Sequence, residues 1–275
     1  MRPALALLTV ALLLVLAPLA GAAKPLAASP LGAHAANSVA GGSFADWAAV
    51  VISGDNQAAH SDAHTETFDN ARRDLGRALE RSGFSSANMA EFSAEPGRHR
   101  DTSPGPARMD DIAAALGRLT ARARGGCLFY LTSHGSPDGA VLGEQVLAPS
   151  AIAGLLNSTC GDRPTVVVVS ACFSGVFVAP LARPNRLVLT AARRDRSSFG
   201  CGESDRYPFF DACVLEALPT SPDFLALAQK ARLCVARRER QEHMSPPSDP
   251  QIAIGPKFHS PRFAPAGWSR RGPLG

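Results

Sequence analysis

The chain has 275 residues, of which 45% are hydrophobic and 19% are charged. This length fits one large domain or two small ones, and the composition excludes an intrinsically disordered chain. Twenty-eight basic and 24 acidic residues leave a formal net charge of +4. Such a balance gives no electrostatic indication of nucleic-acid binding, so no nucleic-acid partner is expected.

The first 22 residues have the pattern of a secretory signal peptide. Arg2 supplies a short basic start, Ala4 to Ala17 form an apolar run, and small residues follow up to Ala22. The run is shorter than the roughly 20 apolar residues of a membrane-spanning helix. We therefore expect cleavage after Ala22 or Ala23, no stable membrane anchor, and export to the periplasm or the extracellular space. In an oxidising compartment, disulfides are the expected state of cysteines.

The remaining chain alternates strands and helices. Residues 23–43 are rich in small and turn-forming residues and predict a flexible lead-in. Strands are predicted where apolar and β-branched residues run together, at 47–52, 88–93, 127–132, 165–169, 187–190 and 251–254. Helices are predicted where apolar residues recur every three to four positions, at 65–81, 109–122, 149–157, 207–218 and 222–240.

This alternation indicates an α/β fold with a mainly parallel central sheet and helices on its faces. The run Val166–Val169 is apolar throughout, as expected for a strand that is buried on both sides. No internal repeat is evident. We therefore assign residues 44–258 to one domain and residues 259–275, which contain Pro, Gly and Arg, to a loose tail.

Two of the predicted strands end in side chains that serve nucleophilic catalysis. The strand 128–133 continues into His134 and Gly135, and the strand 166–170 continues into Cys172. One helical crossover separates the strands, which is enough to make them parallel neighbours that end at the same edge of the sheet. An imidazole then meets a thiol, so His134 can take the thiol proton. The N–H groups of Gly135 and Cys172 can stabilise an oxyanion.

The same segments resemble the motifs of a known family. Ser133–Gly135 is similar to the His-Gly motif, and Ser170–Gly175 to the Ala-Cys-x-Ser-Gly motif, of the legumain family of cysteine peptidases, which belongs to one clan with caspases and gingipains. Residues 189–198 resemble the family segment that follows the nucleophile strand, and residues 68–74 resemble a bacterial branch. The resemblance covers approximately residues 47–254.

The resemblance implies a caspase-like three-layer sandwich and an exported cysteine endopeptidase that acts on proteins or peptides through a thioester acyl-enzyme. Cys172 is then the nucleophile and His134 the general acid and base, without a metal or an organic cofactor. An amine can intercept the same thioester in place of water, so transpeptidation is the enzymatic alternative. A non-catalytic binding protein on the same scaffold is the alternative from another functional class.

One position departs from the family pattern. Legumains carry a glutamate two residues before the nucleophile, where it helps to recognise asparagine, and this chain has Ser170 there. Loss of a carboxylate from a polar specificity pocket weakens such selectivity, so asparagine specificity is not expected. Ser170 is itself a candidate substrate-binding residue, and Glu203 and Asp205, on the loop after Cys201, are candidates for lining the pocket around a basic side chain. The loop 55–65 is expected to border the cleft.

Two further motifs have a structural interpretation that we prefer to a functional one. His60 and His64 have the spacing of a helical zinc site, but they lie in a loop-like stretch that lacks the glutamate of zinc proteases. A polar surface loop is therefore the preferred interpretation. Ser174 lacks the Gly-x-Ser-x-Gly context of a serine nucleophile.

The six cysteines permit 15 complete pairings, so the sequence does not determine their connectivity. Cys127 and Cys160 each precede a predicted strand, at the end of the sheet opposite the site, where a disulfide can join them. Cys201, Cys213 and Cys234 can supply one further bridge and a spare thiol. A disulfide at the proposed nucleophile would contradict the catalytic interpretation.

Overall fold

The computed structural model describes residues 43–59, 61, 63–98 and 102–264. The predicted signal peptide, the lead-in up to residue 42 and the tail from residue 265 lie outside the described residues, as does His60. In this part of the chain, no helix combines the length and the apolar composition that crossing a membrane requires.

The strands of the described chain form two sheets. They are β1 (Trp47–Ser53), β2 (Met89–Ser93), β3 (Gly105–Pro106), β4 (Gly126–Thr132), β5 (Gly135–Ser136), β6 (Gly139–Leu142), β7 (Gln145–Leu147), β8 (Thr165–Ser170), β9 (Arg186–Thr190) and β10 (Gln251–Ile254). The central sheet has the order β10-β9-β8-β4-β1-β2-β3 and is parallel except for β10. Strands β5, β6 and β7 form a small antiparallel sheet.

The helices connect these strands and cover the central sheet. They are α1 (Thr67–Arg81), α2 (Met109–Arg122), α3 (Pro149–Thr159), α4 (Val178–Leu181), α5 (Phe209–Ala217) and α6 (Phe224–Gln241). Every predicted strand and helix is present, with ends that differ from the prediction by two residues or fewer. The hydrophobic periodicity therefore located all of the long elements correctly.

The molecule has three layers, with helices on both faces of the central sheet. Along β1, Ala49 and Val51 pack in the same core as helices α1, α5 and α6, whereas Val50 and Ile52 pack in the core that contains α2, α3 and α4. Successive side chains of a strand point to opposite faces, so a strand between two helical layers is apolar at every position. The predicted α/β fold with a mainly parallel sheet is confirmed.

The small sheet is not predicted by the sequence pattern. Its strands are two to four residues long, which is too short for a periodicity of two to stand out. Close backbone packing at Gly139 also contributes to this sheet. Its φ is 155°, and a Cβ at this position would lie 2.2 Å from the carbonyl oxygen of Leu147. The pairing of β6 with β7 therefore depends on a residue without a side chain.

Two disulfides join elements of the helical layers to their neighbours. Cys127, at the start of β4, is bonded to Cys160 after α3, which confirms the expected pairing. Cys213 in α5 is bonded to Cys234 in α6, and Cys201 is the spare thiol. The bridges span 33 and 21 residues. Loop-closure entropy assigns each of them on the order of 3–4 kcal/mol of stability relative to the reduced chain.

Candidate active site

The ends of β4 and β8 lie side by side, as the sequence predicts. The N–H of Ser133 donates to the carbonyl oxygen of Ser170 at 3.0 Å. Gly135 packs on the turn that follows β8, because a Cβ built on it would lie 2.2 Å from the carbonyl oxygen of Cys172. The segments that carry His134 and Cys172 are therefore in backbone contact at the carboxyl edge of the sheet.

Cys172 lies on a sharp turn after β8. Phe173, the next residue, has a φ of 57°, in the left-handed region that non-glycine residues rarely occupy. Gly175 packs on the second cleft loop, residues 193–207, so closely that a Cβ would lie 2.3 Å from a backbone nitrogen of that loop. The thiol is free and half-exposed, and the N–H of Ser198 donates to its sulfur at 3.3 Å. The turn thus presents the sulfur at the surface.

His134 is oriented by the first cleft loop, residues 55–65. Its Nε2 lies 3.0 Å from the carbonyl oxygen of Gln57, and its ring meets the ring of Phe68 edge to face at 4.9 Å. Because a carbonyl oxygen only accepts hydrogen bonds, Nε2 carries the hydrogen in this contact. The neutral imidazole then keeps its lone pair at Nδ1, which leaves Nδ1 as the nitrogen that can take a proton.

The position of the Gln57 carbonyl is set by a buried carboxylate. Oδ1 of Asp55 accepts the N–H groups of Asn56 and Gln57 at 2.7 and 3.1 Å. The sequence interpretation missed Gln57 because it acts through its backbone, and backbone atoms leave no residue-type signal. The only indication was the expectation that this loop borders the cleft.

The two cleft loops are hydrogen-bonded to each other. The carboxylate of Glu203 accepts from the hydroxyl of Ser61 at 3.1 Å, and the hydroxyl of Thr65 donates to the carbonyl oxygen of Gly202 at 3.1 Å. The side chain of Asp205 accepts from the N–H of Gly202 at 2.7 Å. Both candidate specificity residues therefore lie on the second cleft loop, where Glu203 bonds to the first cleft loop and Asp205 bonds within its own loop.

The second free thiol has a different environment from the first. Cys201 is half-buried, and its carbonyl oxygen accepts from the N–H of Ala59 at 2.8 Å. Burial raises the pKa of the Cys201 thiol to about 12, and negative charge on Cys172 contributes to the same shift. Cys201 is therefore protonated at neutral pH, and a protonated thiol is a poor nucleophile.

Ser170 is buried and lies over a buried carboxyl group that the sequence interpretation missed. The hydroxyl of Ser170 donates to Asp211 at 3.0 Å, and the same carboxyl accepts from Tyr130 and Thr132, each at 2.6 Å. Burial raises the pKa of Asp211 to about 6, although the three hydrogen bonds oppose the shift. Asp211 thus ties together the ends of β4 and β8, the strands that lead to His134 and Cys172. Its sequence signal is an acidic residue within the apolar face of a helix.

We expect the free energy of unfolding to fall as the pH rises from about 4 to about 6, because the folded protein must then give up the proton of Asp211. The folded state holds the proton up to about pH 6, whereas the unfolded chain releases it near its ordinary pKa of 3.8. The folded state binds more protons in this window, so the free energy of unfolding falls with rising pH, by on the order of 3 kcal/mol. The change Asp211→Asn removes this component, because an amide does not ionise.

Urea unfolding of the wild type and Asp211→Asn at about pH 4, 5, 6 and 7 measures the effect. The exposed Glu216→Gln variant is the control for a general change in charge. The difference between wild type and Asp211→Asn should change across this range, with the wild type losing more stability. Parallel pH profiles for these two proteins would contradict the assignment.

The structure also shows the surroundings of Ser174, the alternative nucleophile, and of His64, one of the two candidate zinc ligands. Ser174 is fully buried, and its hydroxyl accepts from the N–H of Ala192 at 3.0 Å, which holds the end of β9. His64 Nε2 lies 2.6 Å from a carboxylate oxygen of Glu95. Its partner in the zinc hypothesis, His60, is outside the described residues. Within the described residues, no group of three or more His, Cys, Asp or Glu side chains is arranged to hold a metal ion.

Comparisons with known proteins agree with this geometry. The crystal structure of Caspase-1 from Spodoptera frugiperda superposes with a TM-score of 0.56 at 14% sequence identity, covering 84% of this chain and 94% of that chain. The protein has a caspase-like fold. A sequence model described as the Peptidase C13 family matches residues 117–223, which contain both His134 and Cys172. This match supports a cysteine peptidase of the legumain family. No curated protein matches the chain.

Proposed function

We propose that this protein is an exported cysteine endopeptidase of the legumain family, with Cys172 as the nucleophile and His134 as the general acid and base. The supporting observation is that the segments carrying these two residues touch at the sheet edge, with Gly135 against the Cys172 carbonyl. The thiol at this edge is free and half-exposed. The other free thiol among the described residues, that of Cys201, has a pKa raised by burial and is therefore protonated at neutral pH. The disulfides in the helical layers support an oxidising compartment.

The proposed reaction begins with a proton transfer. The Cys172 thiol gives its proton to Nδ1 of His134, and the sulfur attacks the carbonyl carbon of the scissile peptide bond. The imidazolium that forms keeps its Nε2–H on the Gln57 carbonyl, which stabilises the new positive charge. His134 then protonates the leaving amine as the C–N bond breaks and a thioester remains. A water molecule, deprotonated by His134, hydrolyses the thioester and restores the thiol.

Two backbone N–H groups are proposed to stabilise the oxyanion of the tetrahedral intermediates. The N–H of Cys172 makes no hydrogen bond to an acceptor in the described part of the chain, whereas that of Phe173 donates to Arg196 at 2.7 Å. Gly135 supplies the second N–H, and its lack of a side chain allows a substrate to approach the backbone. These two N–H groups lie on the segments after β8 and β4, which contact each other at the proposed site.

The proposal does not include selectivity for asparagine. The position two residues before the nucleophile holds Ser170, which is buried and hydrogen-bonded to Asp211. We propose that Glu203 and Asp205 instead line the cleft from the second cleft loop, where a basic substrate side chain would meet their carboxylates. Glu203 is exposed, so its carboxylate is accessible to such a side chain.

Cleavage of a denatured proteome, with new chain termini read by mass spectrometry, tests this function. We expect defined cleavage sites that are not enriched in asparagine and that disappear in His134→Ala. Reactions at one pH with a nucleophilic amine and with an unreactive amine distinguish hydrolysis from transpeptidation. Transpeptidation gives a product that contains the nucleophilic amine, whereas hydrolysis gives a free carboxylate with either amine. If Cys172 stays unmodified by a thiol-directed alkylating agent and no peptide is cleaved, the result favours a non-catalytic binding protein and contradicts the enzymatic proposal.

A further inference from the structure

A groove with an apolar floor and a basic rim lies beside the second cleft loop. It has a volume of about 530 Å³ and lies between α6, residues 244–250 and the second cleft loop. Leu233 of α6 is 67% exposed at this groove, and Met244 and Pro247 continue the apolar surface. An exposed leucine that is continuous with other apolar side chains is typical of a surface that binds a partner. We call this surface the arginine groove.

Four arginines line the arginine groove, and two of them have no acidic partner. Arg232 and Arg240 are exposed and make no ion pair within the described residues. They lie eight positions apart on α6, which places them on the same side of the helix. The other two, Arg193 and Arg196, both contact the carboxylate of Asp195, at 2.6 and 3.4 Å.

Few carboxylates offset this positive charge. Asp249 lines the groove and lies 4.0 Å from Arg193. Glu239 also lines it, but this residue is buried, and its carboxylate accepts from the N–H of Ser248 at 3.1 Å. The groove therefore presents an excess of guanidinium groups to solvent. Guanidinium groups bind carboxylates with paired, charge-assisted hydrogen bonds.

The arginine groove is close to the proposed nucleophile. Arg196 lines the groove, and its carbonyl oxygen accepts from the N–H of Phe173, the neighbour of Cys172. Ser198, whose N–H donates to the sulfur of Cys172, is two residues farther along the loop. Two residues of chain span at most about 7 Å. A peptide extended from the sulfur at about 3.3 Å per residue thus reaches the edge of the groove at Arg196 within about two to three residues.

We propose that the arginine groove binds an acidic stretch of the substrate, with an apolar side chain among its carboxylates, a few residues from the scissile bond. This inference rests on the proposed peptidase function and names a substrate class for it. The apolar side chain covers Leu233, and the carboxylates pair with Arg232 and Arg240. Substrates that carry such a stretch are then cleaved faster than neutral substrates with the same cleavage sequence.

The charge pattern favours a substrate over other occupants. Residues 1–42 and 265–275, which lie outside the described structure, contain no Asp or Glu, and each of these segments carries basic residues. The chain's own termini are therefore not complementary to the arginine groove. A second copy of this chain has a net charge of +4 and is a poor match as well. An acidic segment of another protein fits the observed charge.

Paired peptide substrates test the proposal. Both peptides contain one cleavage sequence, taken from the proteome profile, and are extended by five residues on one side. One extension contains three acidic residues and a leucine, and the other has serine in place of the acidic residues and the leucine. We expect kcat/KM to be about tenfold higher for the acidic peptide in the wild type at low salt. The extension is placed on each side of the scissile bond in turn, and the effect is expected on one side only.

The double variant Arg232→Glu/Arg240→Glu should abolish this preference and leave kcat/KM for the unextended peptide unchanged. The control is Arg118→Glu/Arg124→Glu, two exposed arginines outside the groove, which makes the same change in net charge. We expect the control to keep the preference. Equal kcat/KM for the two extended peptides on both sides, or an equal loss in both double variants, would overturn the proposal.

A binding experiment separates this proposal from the proposed activity. Fluorescence anisotropy measures binding of the labelled acidic peptide to Cys172→Ala, with and without Arg232→Glu/Arg240→Glu. If the wild type cleaves nothing while the groove variant loses binding, the groove proposal holds and the peptidase proposal fails. If the wild type cleaves peptides but binding does not depend on the two arginines, the groove proposal is wrong and the activity stands.

Discussion

Cys172→Ala is expected to lower kcat/KM for peptide cleavage by at least about 10³-fold, down to the background of the assay. The change removes the sulfur that is proposed to form the thioester, and the two other nucleophile candidates considered above, Ser174 and Cys201, are poorly placed to replace it. Ser174 is fully buried, and burial keeps Cys201 protonated. The Cys172 thiol is half-exposed and its hydrogen bonds with Ser198 are weak sulfur contacts of 3.3–3.6 Å, so thermal unfolding should be nearly unchanged. Progress curves with the best peptide of the proteome profile, together with an unfolding scan, measure both effects.

Cys201→Ala is the matched control for this experiment. It removes the other free thiol, from the same region of the structure, so it tests whether any loss of sulfur affects turnover. We expect this variant to keep turnover within about threefold, because burial raises the pKa of the Cys201 thiol and keeps it protonated, and to change stability more than chemistry. Full activity in Cys172→Ala, or an equal loss in both variants, would remove Cys172 from the mechanism.

Gly135→Ala is expected to lower kcat/KM by about 100-fold or more. A Cβ at this position would lie 2.2 Å from the carbonyl oxygen of Cys172 and 2.9 Å from Cβ of Ala171. One of these contacts is with backbone, which cannot rotate away, so the segments that carry His134 and Cys172 must separate. Displacements of about 1 Å in a catalytic group can cost about 100-fold in rate. The same overpacking should lower the free energy of unfolding by about 1–3 kcal/mol.

Gly154→Ala provides the control for adding a methyl group at a glycine. Gly154 lies within α3, and a Cβ built there has no atom within 4 Å. We expect full activity and a stability increase of about 0.5–1 kcal/mol, because alanine favours a helix more than glycine does. Wild-type kcat/KM in Gly135→Ala would show that the close backbone contact is not part of the site.

The elements and the pairing of β4 with β8 were accessible to sequence reasoning. Strand β8 contains a continuous apolar run, which is typical of a strand that is covered by helices on both faces. Because such strands occur mainly in parallel sheets, this run predicted the parallel sheet. In such a sheet, the strand ends share one edge, so His134 and Cys172 were placed together from their positions alone. The bridge between Cys127 and Cys160 followed from the same geometry, because both precede strands at the opposite edge.

The parts that sequence reasoning did not find depend on contacts without a local pattern. Gln57 contributes a backbone carbonyl, which every residue type has. Asp211 accepts hydrogen bonds from three hydroxyl groups of β4 and β8. Even the nearest of these residues, Ser170, is more than 40 positions away in the sequence. The arginine groove combines α6 with two loops that only the folded chain brings together. These features arise from tertiary packing rather than from periodicity.

The most direct test of the central claim is the mass of the protein during turnover. A peptide ester is mixed with the wild type, the reaction is quenched in acid, and the intact mass and the modified residue are determined. We predict an adduct with the mass of the acyl half of the substrate, located on Cys172 and released by hydroxylamine. An acyl group found on Cys201 or on a serine, or turnover without any covalent adduct under conditions where acylation outpaces hydrolysis, would contradict the account.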